Sequence, residues 1–336
     1  MIMIQDTQFE PTTASFLFSH NDLIAAVEVV RRHFAATPQI VWPLLCKRLD
    51  GAEVWVKHEN HLPTGAFKVR GGLLLSDALM RGKYGTPPTG IITASVGNHG
   101  MSQTFAGTRA GLKVSVVVPL GNNPEKNAAL QAMGAKLIEE GHDYSAAYEA
   151  AARIGNEHGL YVVEPFLPEL MLGVATYAYE LLTQVRELDA IYVPIGMGSG
   201  ICGLIRTRDL LGLNTKIVGV VSAHAPAHAL SFAAGRVITT ESAQTIADGV
   251  AVRVPKPQPV AIISKGADRI VQVTDEEVAA AIRAYHEDTH NMAEGAAATP
   301  LAALIQERHK MRGKRVALIL TGSNISRPLL ARILNG

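Results

Sequence analysis

The chain has 336 residues, 48% of them hydrophobic and only 18% charged, and 31 Lys+Arg against 30 Asp+Glu leave a formal charge of +1. That balance excludes intrinsic disorder, which needs low hydrophobicity and high net charge. It also removes any global electrostatic reason to expect nucleic acid as a partner. At roughly 150 residues per domain the length predicts about two domains. The two cysteines, Cys46 and Cys202, sit in no disulfide or metal-ligand spacing, so a reducing, cytoplasmic setting is expected. Met1 to Pro11 include Asp6 and Glu10 and lack the basic and apolar regions of a secretory signal. No stretch approaches the ~20 apolar residues of a membrane helix.

Short apolar, β-branched runs recur, each followed by Gly, Ser or Asn and then by a segment with helical spacing. Expected strands are Glu53–Lys57, Gly90–Ala94, Val114–Pro119, Lys136–Glu139, Tyr161–Val163, Ala190–Ile195, Lys216–Val221, Arg269–Val273 and Arg315–Leu320. Runs apolar throughout suit parallel strands covered on both faces. A helix is expected to start near Val69, and others over Ser102–Ala110, Asn127–Met133, Tyr144–Gly155, Gly173–Val185, Gly200–Leu211, Asp275–His290 and Pro300–Met311. Thr274 followed by Glu277 forms a capping-box pattern. The alternation predicts an α/β fold with two parallel sheets.

In such folds the ligand lies beyond the carboxyl ends of the strands, which directs attention to four segments. Gly196-Met197-Gly198-Ser199-Gly200 opens a helix after a strand, where free N–H groups and the helix dipole suit a phosphate. Gly198 to Gly203 also satisfy G-x-G-x-x-G, but the next strand ends Val221-Ser222 with no carboxylate for a ribose hydroxyl, which weighs against a nicotinamide dehydrogenase. Ser95-Val96-Gly97-Asn98-His99-Gly100 exposes N–H groups at another helix start, suited to a carboxylate. Lys68, between Phe67 and Val69, has the apolar surroundings that depress an amine's pKa and make it a nucleophile and base. Thr321 follows the apolar strand Val316–Leu320, and its hydroxyl could equally cap the next helix. A non-catalytic small-molecule binding protein is the third reading, and it gives Lys68 no role.

In order along the chain, His58-Glu59-Asn60-His61-Leu62-Pro63-Thr64-Gly65-Ala66-Phe67-Lys68-Val69-Arg70-Gly71, Ser95–Gly100, Gly196–Gly203, Ile246-Ala247-Asp248-Gly249-Val250-Ala251-Val252, Ala293-Glu294-Gly295-Ala296 and Thr321-Gly322-Ser323-Asn324 resemble the threonine/serine dehydratase branch of fold-type II, tryptophan synthase β-like, pyridoxal-phosphate enzymes. The resemblance is collinear over roughly residues 20 to 330. It implies two parallel-sheet α/β domains with pyridoxal 5′-phosphate between them: a large one from 1–85 and 170–336, and a small one from 86–169. By that resemblance Lys68 matches the Schiff-base lysine and Phe67 the residue packed beside it. Ser95, Val96, Gly97, Asn98 and His99 match the loop that receives the substrate carboxylate, Asn98 also lying near the cofactor's ring hydroxyl. Gly196, Met197, Gly198, Ser199 and Gly200 match the phosphate cradle, Glu294 the acidic residue near the ring, and Thr321 the position facing the pyridine nitrogen.

The implied activity is α,β-elimination of water from a β-hydroxy-α-amino acid, giving a 2-oxo acid and ammonia, in a homodimer. Val96 stands where racemases of the branch carry a second serine, so racemisation, or another β-elimination or β-replacement, is the alternative. Cation-binding relatives place acidic side chains after the strand that here ends Val221-Ser222, followed by Ala223-His224-Ala225-Pro226-Ala227-His228; no bound metal is therefore expected. The chain ends at Gly336, which leaves no regulatory domain for feedback by isoleucine. Ala66, Met101 and the Ala/His-rich segment 223–234 suggest a pocket roomy enough for phenylserine.

Overall fold

The computed structural model describes residues 13–336; Met1–Pro11, read above as leaderless, lie outside them. Ten strands are present: β1 Gln39–Val41, β2 Glu53–His58, β3 Gly90–Ala94, β4 Lys113–Val118, β5 Lys136–Glu139, β6 Tyr161–Val162, β7 Ala190–Pro194, β8 Lys216–Ser222, β9 Arg269–Val273 and β10 Arg315–Leu320. They form a six-stranded sheet, β1-β2-β10-β7-β8-β9, and a four-stranded sheet, β5-β4-β3-β6. Every pairing is parallel except β1 with β2. The nine expected strands are all present. β1 was not anticipated: three half-buried residues at a sheet edge are too few to show alternation.

The six-stranded sheet is apolar on both faces, as β10 shows residue by residue. Val316, Leu318 and Leu320 enter the core formed with Val54, Tyr192, Val218 and Leu301. Ala317 and Ile319 enter the opposite core with Tyr177, Ile191, Ile201 and Ile217. Successive side chains point to opposite faces of a strand, so this sheet must be covered by helices twice, and its strands read as unbroken apolar runs.

The helix Val69–Met80 begins directly after Lys68 and packs between the helices Asn98–Arg109 and Pro168–Gln184. Glycines permit the approach. A Cβ on Gly72 would lie 2.5 Å from Ser102 Oγ, and one on Gly173 would lie 2.4 Å from Arg70 O. Behind this helix lies a buried charge network. Arg70 donates to Glu59 at 2.6 and 2.9 Å and to Glu180 at 3.0 and 2.9 Å, and Lys57 donates to Glu180 at 2.7 Å. Two buried cations thus meet two buried carboxylates, the half-exposed Arg31 adds a third cation 3.6 Å from Glu180, and Thr37 and Thr176 satisfy further lone pairs and N–H groups. Removing one partner from such a network costs about 3–5 kcal/mol, since an uncompensated charge is left inside.

Helix starts differ from expectation where glycine or proline opens the helix. Asn98–Arg109, Pro124–Ala132, Pro168–Gln184 and Gly295–Gln306 all begin earlier than their apolar periodicity suggests. Proline is at home in the first turn, where its missing N–H has no partner to lose. The capping box at Thr274 and Glu277 is present.

Gly173→Ala should lower stability by about 1–3 kcal/mol in urea unfolding, because the added methyl meets the Arg70 carbonyl rather than a movable side chain. A gain, as expected for Gly→Ala in an uncrowded helix, would contradict the packing described.

Candidate functional site

The carboxyl ends of β2, β7 and β10 lie side by side in the six-stranded sheet, so the segments that follow them are gathered at one end. The segment after β2 is bound to the loop after β10 by backbone pairing. Ala66 bridges Gly322, Phe67 N donates to Thr321 O at 2.9 Å, and Ser323 N donates to Gly65 O at 2.9 Å. Gly65 has φ +67, a conformation that L side chains resist, and a Cβ there would meet Asn324 Oδ1 at 2.6 Å. Lys68 is placed at the mouth of the helix that follows. Its Nζ lies 5.1 Å from the centre of the Phe67 ring and has no hydrogen bond or ion pair among the described residues.

Burial lowers the Lys68 pKa, opposed by the charges of Glu294 and Asp248 and aided by Lys126. Desolvation disfavours the charged form of an amine, so the neutral, nucleophilic form is populated at a lower pH than for a surface lysine. Glu294 is also buried, and its pKa is raised by burial and by Asp248 against the opposing hydrogen bond from Asn98. Asn98 Nδ2 donates to Glu294 Oε1 at 2.7 Å, and Asn324 Nδ2 donates to Asn98 Oδ1 at 2.7 Å. This chain joins the four-stranded sheet's loop to the loop after β10.

The turn after β7 reads as a cradle. The helix Ser199–Leu210 has no side-chain cap. Among the described residues the N–H groups of Met197, Gly198, Ser199, Gly200 and Ile201 find no acceptor, the first return bond being Cys202 N to Gly198 O. Such a helix start is an anion site. A Cβ on Gly196 would lie 2.3 Å from Gly249 O, and Gly198, at φ +104, would press on Pro259. Tyr177 OH donates to Gly200 O at 2.9 Å and meets Phe67 edge-on. Met197 packs against the neighbouring apolar core.

The fourth segment follows β3. Ser95 Oγ accepts from Gly97 N at 3.1 Å and Gly100 N at 2.8 Å, so this hydroxyl is spent on its own loop. The N–H groups of Val96, Asn98 and His99 are left without acceptors among the described residues. Lys126 Nζ lies 3.3 Å from where a Gly97 Cβ would be and pairs with Asp248 at 2.5 Å.

Lys68, Phe67, Asn98, Glu294, Thr321 and the Gly196–Gly200 turn are thereby brought together. The Thr321 hydroxyl does not cap the following helix, whose N-cap is Ser326, and it has no partner among the described residues. Sequence reasoning did not single out Asp248, Lys126, Asn324 or Tyr177. Asp248 and Asn324 lay inside quoted segments, whereas Lys126 and Tyr177 carried no local signal.

Pyridoxal phosphate fits these residues: an unengaged amine, a row of N–H groups without acceptors, and glycines whose Cβ atoms would fill the cradle. Gly196→Ala should weaken pyridoxal phosphate binding at least about tenfold by absorbance titration, since the Gly249 carbonyl cannot swing away as a side chain would. Unchanged affinity would place the phosphate elsewhere.

Comparison with known proteins identifies the family. The L-threonine ammonia-lyase of Thermotoga maritima is 31% identical over 297 residues, covering 88% of this chain and 73% of that protein. The beta-hydroxyaspartate dehydratase of Paracoccus denitrificans is 30% identical over 311 residues, covering 92% and 97%. The processed form of threonine deaminase isoform 2 from Solanum lycopersicum superposes with a TM-score of 0.85 at 25% identity, covering 95% and 94%. The family model described as pyridoxal-phosphate dependent enzyme matches residues 30–322, and the chain belongs to that family.

Proposed function

We propose that this protein is a dehydratase that removes water from a β-hydroxy-α-amino acid of the threonine or serine type and releases a 2-oxo acid and ammonia. The observation that carries the reading is the Lys68 amine, unpaired and held toward its neutral form, at the junction of an anion cradle and a loop of free N–H groups. The relatives named dehydratase and ammonia-lyase support it. The segment 86–169 is read as the small domain that carries the carboxylate-binding loop.

Pyridoxal phosphate, when bound, supplies the electron-withdrawing ring that acidifies the substrate's Cα–H bond. The roles of the chain's own residues follow from their chemistry. The N–H groups of residues 197–201 hold the phosphate, and those of Val96, Asn98 and His99 hold the substrate carboxylate. Asn98, fixed between Glu294 and Asn324, orients the ring hydroxyl. Thr321 offers a neutral hydroxyl to the ring nitrogen, which cannot keep that nitrogen protonated as a carboxylate would. With a neutral hydroxyl rather than a carboxylate at that position, the chain would favour loss of a β-substituent over transamination. Lys68 Nζ takes the Cα proton. The Cβ–O bond breaks, the departing oxygen takes up a proton equivalent to the one removed from Cα and leaves as water, and the released enamine, as its imine, takes up one water to give 2-oxo acid and ammonia. Val96, with no transferable proton, provides no acid on the opposite face for racemisation. Ala66, Met101 and the segment 223–234 are read, from side-chain size alone, as shaping a pocket for a β-substituent as large as phenyl.

The test is turnover of threonine, serine and phenylserine by the purified holoenzyme, with 2-oxo acid and ammonia measured together. Equimolar products are expected, phenylserine being accepted, and Lys68→Ala should lower kcat by about 10²–10⁴. Serine turned over as well as the larger substrates would count against the roomy pocket. Undiminished turnover in Lys68→Ala, or D-serine as the main product, would overturn the reading.

A further inference from the structure

His99 stands at the second position of the helix Asn98–Arg109, and its hydrogen bonds determine which ring nitrogen carries the proton. Its Nε2 lies 3.1 Å from Thr93 Oγ1. Thr93 Oγ1 in turn lies 2.9 Å from the Val163 carbonyl and 3.5 Å from the Ala94 carbonyl. The Val163 carbonyl can only accept and is the nearer of the two partners, so the Thr93 hydroxyl is assigned as its donor. The Thr93 oxygen then accepts a hydrogen bond from His99 Nε2–H. A neutral imidazole has one N–H, and Nδ1 is left as a bare lone pair. Burial and the nearby Lys68 charge push the His99 pKa down to about 3, so the doubly protonated ring does not form near neutrality. Nδ1 has no partner among the described residues, the side chain stays partly exposed, and Lys68 is the charge that acts on it.

Several polar side chains of the segments that form the site are already committed. Ser95 Oγ caps its own loop, Asn98 Oδ1 accepts from Asn324, Thr64 Oγ1 donates to Ala66 O, and Asp248 is paired with Lys126. The ring lies close enough to Lys68 to feel its charge, its bare Nδ1 is a neutral acceptor, and a substrate carboxylate, which is acceptor-only, gains nothing from it. We propose that His99 Nδ1 is a specificity-determining acceptor that receives a hydrogen bond from the hydroxyl on the substrate's β-carbon. The site then selects substrates whose β-substituent carries an O–H or N–H over those whose leaving group has no proton to donate. This rests on the elimination reading above and names the feature of the substrate that the site recognises. The α-carboxylate is left to the backbone N–H groups.

Two substitutions separate the two ring nitrogens. Gln places an N–H where Nε2 was and keeps the bond to Thr93, but removes the acceptor at Nδ1. Asn places its Oδ1 near the Nδ1 position and keeps the acceptor. The measurement is the ratio of kcat/KM for serine to kcat/KM for β-chloroalanine, whose chloride leaves without offering a donor. His99→Gln should lower that ratio about tenfold, the scale of one hydrogen bond, and His99→Asn should recover most of it. Equal loss for both substrates in His99→Gln, or no recovery in His99→Asn, would overturn the proposal. If the wild-type enzyme eliminates from neither substrate, the elimination reading itself fails, which is a different result. Independently of turnover, ¹⁵N NMR of the wild-type protein should show His99 with Nε2 protonated and Nδ1 bare from about pH 5 to pH 8. The opposite tautomer would overturn the proposal without any variant.

Discussion

The position of one amine depends on a short stretch of backbone pairing. Residues 65–67 are held to residues 321–323 by two hydrogen bonds of 2.9 Å, so the segment leaving β2 is bound to the loop leaving β10 although some 250 residues separate them in the chain. The pairing requires glycine on both sides: Gly65 for its positive φ, and Gly322 because a Cβ would come within 2.7 Å of Glu294 Oε1. Without it Lys68 would sit on an ordinary surface turn. With it the amine is set against Phe67 and near the cradle after β7, at the end of the sheet where open α/β folds bind their ligands.

The charges around this amine fall into two separated sets. Behind it, Arg70, Lys57, Glu59 and Glu180 saturate one another and offer Lys68 no free carboxylate. In front, Glu294 is engaged by Asn98 and Asp248 by Lys126. Lys68 thus lies in a poorly solvated place without a direct counter-ion, which is the arrangement that lowers a lysine's pKa. Had Glu294 or Asp248 been turned onto Nζ, the ammonium would be stabilised and its value as a nucleophile and base reduced. The buried network also pins the first turn of the helix Val69–Met80, so the same charges that are kept from Lys68 fix its direction.

Much of this was legible in the sequence, because parallel strands covered on two faces read as unbroken apolar runs, and because the glycine-rich turns after strands are where N–H groups are left free. The extra strand β1 was not legible, being a three-residue edge. Four helices begin earlier than expected, at or near glycine and proline, residues that periodicity counts as breakers although a helix's first turn accepts them. Thr321 could be read as either a cap or a site group, and only the observed N-cap at Ser326 decides against the cap. Lys126 and Tyr177 were invisible because their relevance comes entirely from partners distant in the chain: Asp248 for one and the Gly200 carbonyl for the other. The protonation of the His99 ring was equally hidden, since it depends on the hydrogen bond that Thr93 donates to the Val163 carbonyl.

The most direct measurement of the central claim is chemical. The holoprotein is treated with borohydride, digested, and its peptides are sequenced by mass spectrometry to locate the reduced pyridoxyl group. The account predicts a single labelled residue, Lys68, with label lost in Lys68→Ala. A label on any other lysine, or none on a protein that has bound the cofactor, would contradict it.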